Sequence, residues 1–346
     1  MILAIKILMI VFFMLGIFTA SDIDTEDVPP TVSDDTEIII SLPDNEISPD
    51  IPPVREEWIP DSLDLKRAIP NDSTPPERLV PVTELPPISD DGIIRRVKIS
   101  GDIKAVSLTF DMCELDTSTT GCDVDVLNFL RERNIPATLF MGGKWMRTHS
   151  RRVKQIMAEP LFEIANHNWS HGNAALLSPE GLTAQILWTQ AEYELLREEA
   201  KRDDIPKVPA LFRLPYGRSS KSALKTIAGL GMKVIQWDVA AESGGNNTNI
   251  KRAVRSARLV AGMTRPGSIL LFHANSVPKG TAVLLREVVN LLEADGYVFV
   301  KTSELLEMGE AETVRDGYFS RPGDNKALDS KFGADGTGRR KRFTGK

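Results

Sequence analysis

The chain has 346 residues and net charge −6, with only four histidines and two cysteines. Two cysteines exclude a disulfide scaffold, and an acidic total gives no reason to expect a nucleic-acid partner. The charge is uneven: residues 22–64 hold 14 acidic residues against the single basic Arg55, so this stretch carries −13 and the remainder about +7.

Lys6, an apolar run from Ile7 to Phe18 and the small residues Thr19, Ala20 and Ser21 predict an export signal over residues 1–21. The run is short for a bilayer span of about 20 residues, and an uncleaved membrane anchor is the alternative. The protein is therefore expected to be exported, periplasmic or extracellular, with membrane anchoring through its N-terminus as the variant. Residues 22–94 combine acidity with recurring prolines, at Pro29-Pro30, Pro52-Pro53, Pro75-Pro76 and Pro86-Pro87. That composition predicts a disordered, extended linker. A folded domain is expected over 95–308, followed by a flexible basic tail over 309–346 that ends in Arg339-Arg340-Lys341-Arg342.

Within the domain, short apolar runs alternate with helical stretches: Val106–Phe110, Ala137–Met141, Phe162–Asn166, Leu211–Leu214, Val234–Trp237, Ile269–Phe272 and Val298–Val300. Strands covered on both faces lose polar alternation, so these runs predict a parallel sheet. Ser178-Pro179-Glu180 offers an N-cap, a proline at the first helical position and an early acid, and Gly229 and Gly231 can stop a helix over Ser222–Leu230. Seven strands with crossover helices predict an α/β fold, a distorted TIM-like (β/α)7 barrel, with a doubly wound open sheet as runner-up. Asp111, His167, Arg213, Asp238 and His273 stand where apolar runs finish, and in a parallel barrel such positions converge on the C-terminal rim.

His167 and His171 are four residues apart, close enough to face one ion if the segment turns helically after its strand. Taken alone, that spacing is also what any helix face produces. Cys113 and Cys122 could pair in an exported protein, closing a loop worth at most roughly 2.7 kcal/mol.

Thr109-Phe110-Asp111, Asn166-His167-Asn168-Trp169-Ser170-His171, Arg213-Leu214-Pro215-Tyr216-Gly217 and Leu271-Phe272-His273 follow one another in an order that resembles the polysaccharide deacetylases of carbohydrate esterase family four, built on the NodB homology domain. The resemblance covers roughly Val97 to Leu306. It implies Asp111 as general base, His167 and His171 as metal ligands, Arg213 as the charge partner of the base, and Pro215 shaping the groove. It further implies the Tyr216 amide as oxyanion donor, His273 as general acid, and Leu271 lining the acetyl pocket. Trp169 and Trp237 are placed to stack on sugar rings, although core packing is the commoner use of tryptophan.

Two departures stand out. Met112 occupies the place of a metal-binding aspartate, and a thioether suits soft ions rather than Zn²⁺. Asp111 could move onto the metal, Glu114 or the Cys113 thiolate could supply the third ligand, or the site could bind metal weakly or not at all. A carboxylate is preferred, with Glu114 taken as the ligand. Ala240 and Ser243 stand where the family has the carboxylates that orient the acid, so either Asp238 or Glu242 substitutes or His273 is less well held. The resemblance implies a divalent metal cofactor, Zn²⁺ with Co²⁺ or Mn²⁺ as variants and none if the site is degenerate. It implies removal of N-acetyl groups from amino sugars of an exported or envelope polysaccharide. A catalytically silent carbohydrate-binding protein and an O-acetyl esterase are the alternatives.

Overall fold

The computed structural model describes residues 55–65, 74–76, 84–89, 92–115, 119–242 and 245–334. The expected signal, most of the expected linker and the basic cluster at 339–342 lie outside these residues.

Seven of the ten strands among the described residues follow the expected apolar runs, while Ile93–Ile99, Val239–Ala240 and Gly309–Val314 are strands that no such run announced. β1 (Ile93–Ile99), β2 (Ala105–Met112), β3 (Ala137–Met141), β4 (Phe162–Asn166), β5 (Leu211–Phe212), β6 (Lys233–Ile235), β7 (Val239–Ala240), β8 (Ile269–His273), β9 (Val298–Phe299) and β10 (Gly309–Val314) form one sheet in the order β10-β1-β6-β5-β4-β3-β2-β8-β7, with β9 beside β2. Every pairing between strands is parallel except β1 with β10. From β6 to β2 the neighbours run in unbroken sequence order, without the reversal that a doubly wound sheet needs. The sheet curls, and a bridge between Arg96 and Ser268 links β1 to the residue before β8. The result is a distorted (β/α) barrel.

Helices α1 (Val124–Glu132), α2 (Gly143–Thr148), α3 (Ser150–Ala158), α4 (Pro179–Glu199), α5 (Lys221–Gly229), α6 (Ile250–Met263), α7 (Thr281–Ala294) and α8 (Thr302–Glu307) fill the crossovers. α4 starts where its sequence predicts: the Ser178 side chain accepts from the Gly181 N–H and Pro179 takes the first helical position. Strand parity then sorts the β2 side chains. Val106, Leu108, Phe110 and Met112 enter the apolar layer between sheet and helices with Val124, Leu127 and Val288. On the other face, Ala105 joins Phe140, Ala165 and Leu271 inside the barrel.

The domain boundaries need correcting at both ends. Residues 55–65, expected within the disordered linker, pack on the barrel. Asn128 brackets Trp58 by accepting from its N–H at 2.9 Å and donating to its carbonyl at 2.8 Å. Arg152 and Asp64, 2% and 3% exposed, form a two-pronged ion pair at 2.7 and 3.2 Å. Residues 309–334, expected in the flexible tail, also carry regular structure and tertiary contacts. β10 pairs with β1 over Ile93–Ile99, and α9 (Ala327–Phe332) docks through Asp329, which accepts from Arg218 at 2.6 and 2.8 Å. Local composition missed both because the partners lie far away in sequence.

Breaking a buried ion pair from one side leaves an uncompensated charge. Asp64→Ala is expected to lower unfolding stability by about 3–5 kcal/mol, read from urea titration of the full chain.

Candidate active site

The register of the strands gathers the rim residues. Asp111 lies opposite His273 across β2 and β8, while Met141 of β3 lies opposite Asn166 of β4 and Asn166 opposite Phe212 of β5. His167 and Arg213, the next residues in each case, therefore leave their strands at neighbouring points on the same end of the barrel.

Arg213 is fully buried. Its guanidinium donates to Asp111 Oδ1 at 2.9 Å, Thr109 Oγ1 at 2.8 Å, and the Ile235 and Gln236 carbonyls at 3.2 Å each. Phe140 lies beneath it, 3.8 Å from the ring centre. Burial alone would raise the Asp111 pKa, but the charged groups around it prevail and hold the carboxyl below its ordinary range. We assign most of that effect to Arg213, because burial pushes the His167 imidazole toward its neutral form.

His167 and His171 do converge, but through a loop rather than a helical turn. The segment bends at Asn168 and His171, both with positive φ (64° and 57°). Asn166 Oδ1 accepts from the Asn168 N–H at 3.0 Å, and Gln185 Oε1 accepts from the Trp169 and Ser170 N–H groups at 3.0 and 2.9 Å. The two imidazoles meet edge to face with centres 4.9 Å apart. His167 Nδ1 bonds to the Arg213 carbonyl at 2.9 Å, so that nitrogen carries the proton and Nε2 keeps its lone pair. Nε2 lies 3.4 Å from Asp111 Oδ2 without a hydrogen bond, and buried His171 Nδ1 also has no partner. Burial, strengthened by the neighbouring imidazoles, pushes His171 well below its ordinary pKa. Two neutral imidazoles with unused lone pairs suit a divalent cation.

Beside them stands Cys113. One ligand atom from each of Cys113, His167 and His171 lies within 4.8 Å of the others, the group of this kind found among the described residues. Glu114 is not part of it. Its carboxylate faces the other way, accepting from the Thr120 N–H and Thr148 Oγ1 at 2.9 Å each. Met112 shares that outward face and is fully buried among apolar side chains. Along the extended chain, alternation sends 111 and 113 inward and 112 and 114 outward, which leaves the expected ligand Glu114 away from the histidines. Cys113 and Cys122 are both free thiols. Burial, followed by the charges of Asp111 and Glu114, pushes the Cys113 thiol pKa well up.

His273 finds its orienting carboxylate in Glu242, whose Oε2 lies 2.7 Å from His273 Nδ1. Thr281 donates to the other oxygen. Burial disfavours the charged ring, but the Glu242 bond outweighs it and raises the His273 pKa. Asp238 serves elsewhere, accepting from Ser268 Oγ at 2.8 Å and the Ile269 N–H at 3.0 Å.

Tyr216 sits at φ 60° in the short 3-10 turn Pro215–Gly217. Its ring meets His171 edge-on at 4.3 Å and stacks on Phe332 of α9 at 4.8 Å. Pro215 is buried in the same turn, and Leu271 lies inside the barrel, 2% exposed. The two tryptophans are not available to a sugar. Each is 2% exposed: Trp169 fits so tightly against α2 that a Cβ on Gly143 would come within 2.2 Å of its ring, and Trp237 packs on Phe319 at 5.1 Å. Core packing takes both. Gln185, Asn325 and Phe332 went unnoticed in the sequence, although Asn325 Nδ2 clamps the Tyr216 and Gly217 carbonyls at 3.0 and 2.9 Å; no local motif marks them. A cleft of about 600 Å³ near Phe162, Leu211 and Lys233 opens at the opposite end of the strands and borders none of these groups.

Residues 98–235 match the family described as polysaccharide deacetylase. The chain is 29% identical over 182 residues to a chitooligosaccharide deacetylase of Bradyrhizobium, covering 51% of this chain and 75% of that protein. It is 28% identical over 215 residues to a peptidoglycan-N-acetylglucosamine deacetylase of Bacillus cereus, covering 60% and 91%. In fold it resembles a carbohydrate esterase family four pseudoenzyme from Bacillus anthracis, with a TM-score of 0.52 and 22% identity over 65% of this chain and 72% of that one.

Because folding raises the His273 pKa, the imidazolium contributes stability below the unfolded-chain value of about 6.5, and that contribution fades as pH climbs through the folded value. NMR titration of the full chain should place His273 above an ordinary histidine, and Glu242→Gln should move it down. Met112→Asp would introduce a carboxylate into the outer apolar layer. It is expected to cost several kcal/mol in urea unfolding, without a gain in bound metal.

Proposed function

Because this chain carries a polysaccharide deacetylase domain of the NodB type, we propose that it is a metal-dependent hydrolase. It would remove N-acetyl groups from N-acetylglucosamine polymers outside the cytoplasm, reaching them through the export signal read over residues 1–21. The observation that carries this reading is the joint presence, within one rim, of a buried carboxylate held by Arg213, two neutral histidines with unused lone pairs, and a histidine backed by Glu242. His167 and His171 would hold a divalent ion, which would supply Lewis-acid chemistry for the acetamide carbonyl and for the attacking water.

The protein's own groups supply the rest. Asp111, ionised at neutral pH, accepts the proton of the attacking water on Oδ2, while Arg213 pins Oδ1 and keeps the carboxylate charged. The turn at Tyr216, set by its positive φ and the Asn325 clamp, presents backbone toward the carbonyl oxygen as charge develops there. His273, held at Nδ1 by Glu242, delivers a proton from Nε2 to the departing amine. Burial excludes competing water from Asp111 and the His167 edge.

Met112 supports a second reading, a catalytically silent carbohydrate binder, since the aspartate that the family motif places there is missing. Acetate release from N-acetylglucosamine oligomers separates the two. The zinc-loaded protein should release acetate, a chelator should stop it, and Asp111→Asn or His273→Ala should each lower the rate about 100-fold or more. Saturable oligomer binding with wild-type release no greater than that of the variants would sink the enzyme reading.

A further inference from the structure

We propose that Cys113, as a thiolate, is the third protein ligand of the metal at the histidine pair. The centre would then be a one-sulfur, two-imidazole site selecting Zn²⁺, Co²⁺ or Cd²⁺ over Mn²⁺ and Mg²⁺. The inference rests on the functional reading only for the presence of a resident ion. To that it adds the ligand and the class of ion.

Three observations converge. Cys113 and the two histidines present ligand atoms within 4.8 Å of one another. Around a tetrahedral ion with the usual zinc–sulfur and zinc–nitrogen lengths, such atoms stand roughly 3.3–3.6 Å apart, so the group needs to close by about an ångström. His167 Nε2 and His171 Nδ1 are buried without hydrogen-bond partners, and His167 is already oriented by its bond from Nδ1 to the Arg213 carbonyl. Competing ligands are committed elsewhere. Glu114 and Met112 face outward, and Asp111, whose Oδ1 accepts from Arg213 and whose Oδ2 lies 3.4 Å from His167 Nε2, does not belong to the group of three.

Cys113 is also held in place. Its carbonyl accepts from Thr120 Oγ1 at 2.9 Å and Asn275 Nδ2 at 3.0 Å, and it is not consumed in a disulfide. On binding, the thiol passes its proton to solvent and the sulfur lone pair goes to the ion, supplying the single negative charge that a carboxylate would. Asp111 thereby remains free to act as the base.

Cobalt reports the ligand directly. The full-length chain, stripped of metal and given one equivalent of Co²⁺, should show an intense near-ultraviolet sulfur-to-cobalt charge-transfer band that Cys113→Ser abolishes. Cys113→Asp keeps an anionic ligand, so it should still bind one cobalt but without the band. Its preference for Cd²⁺ over Mn²⁺ should fall about tenfold or more relative to wild type. The assignment is overturned by a wild type that binds cobalt without the band or binds none, by a band that survives Cys113→Ser, or by an unchanged Cd²⁺/Mn²⁺ ratio in Cys113→Asp. Acetate release on the same zinc-loaded samples separates this from the functional reading: a band without release sinks the deacetylase and spares the thiolate, and release without a band does the reverse.

Discussion

One buried arginine organises the rim. The Arg213 guanidinium reaches Asp111 and Thr109 on β2 and two carbonyls at the end of β6, while its own carbonyl orients His167. A cation taken wholly out of water is tolerable only when such bonds and an opposite charge compensate it. Removing Asp111 would leave a charge whose burial costs several kcal/mol. The same contacts that make this arrangement stable therefore fix the carboxylate, its protonation state and the orientation of one metal-facing imidazole. Stability and chemistry here are hard to separate.

Around that pair the sheet acts as a sorting device. Parallel strands in register bring the ends of β2, β4, β5 and β8 to one level, and the two-residue period decides which side chains face the barrel interior. At the end of β2 and in the two residues that follow it, that period places Asp111 and Cys113 on one face and Met112 and Glu114 on the other. Met112 is thus an apolar residue in an apolar layer, and the loss of a carboxylate at that position does not empty the site of anionic groups.

The segments flanking the barrel are part of its build. The stretch around Trp58 and Asp64 closes over α1 and α3, with Asp64 neutralising a buried Arg152. At the other end, Asp329 ties α9 to Arg218, Asn325 holds the turn at Tyr216, and Phe332 stacks on the Tyr216 ring, which in turn rests against His171. A chain segment more than a hundred residues beyond His171 thereby sets the conformation of a loop whose backbone, at φ 60°, is costly unless its surroundings enforce it.

By itself the sequence determined seven of the ten strands, because runs such as Ala137–Met141 are buried along their whole length and bounded by helix signals; β1, β7 and β10 were not among them. It also marked Asp111, His167, Arg213 and His273 as rim groups, since each is among the last residues of, or the first after, such a run. Only the tertiary structure decided the partners. Glu242 rather than Asp238 orients His273, Cys113 rather than Glu114 stands beside the histidines, and Trp169 and Trp237 belong to the interior. Those choices depend on side-chain direction and on contacts between residues tens to hundreds of positions apart, which local periodicity does not encode. The same holds for Trp58 and Asp64 in an acidic stretch and for β10 beyond the expected boundary: composition describes a segment's average, and burial is settled by the few residues that find partners across the fold.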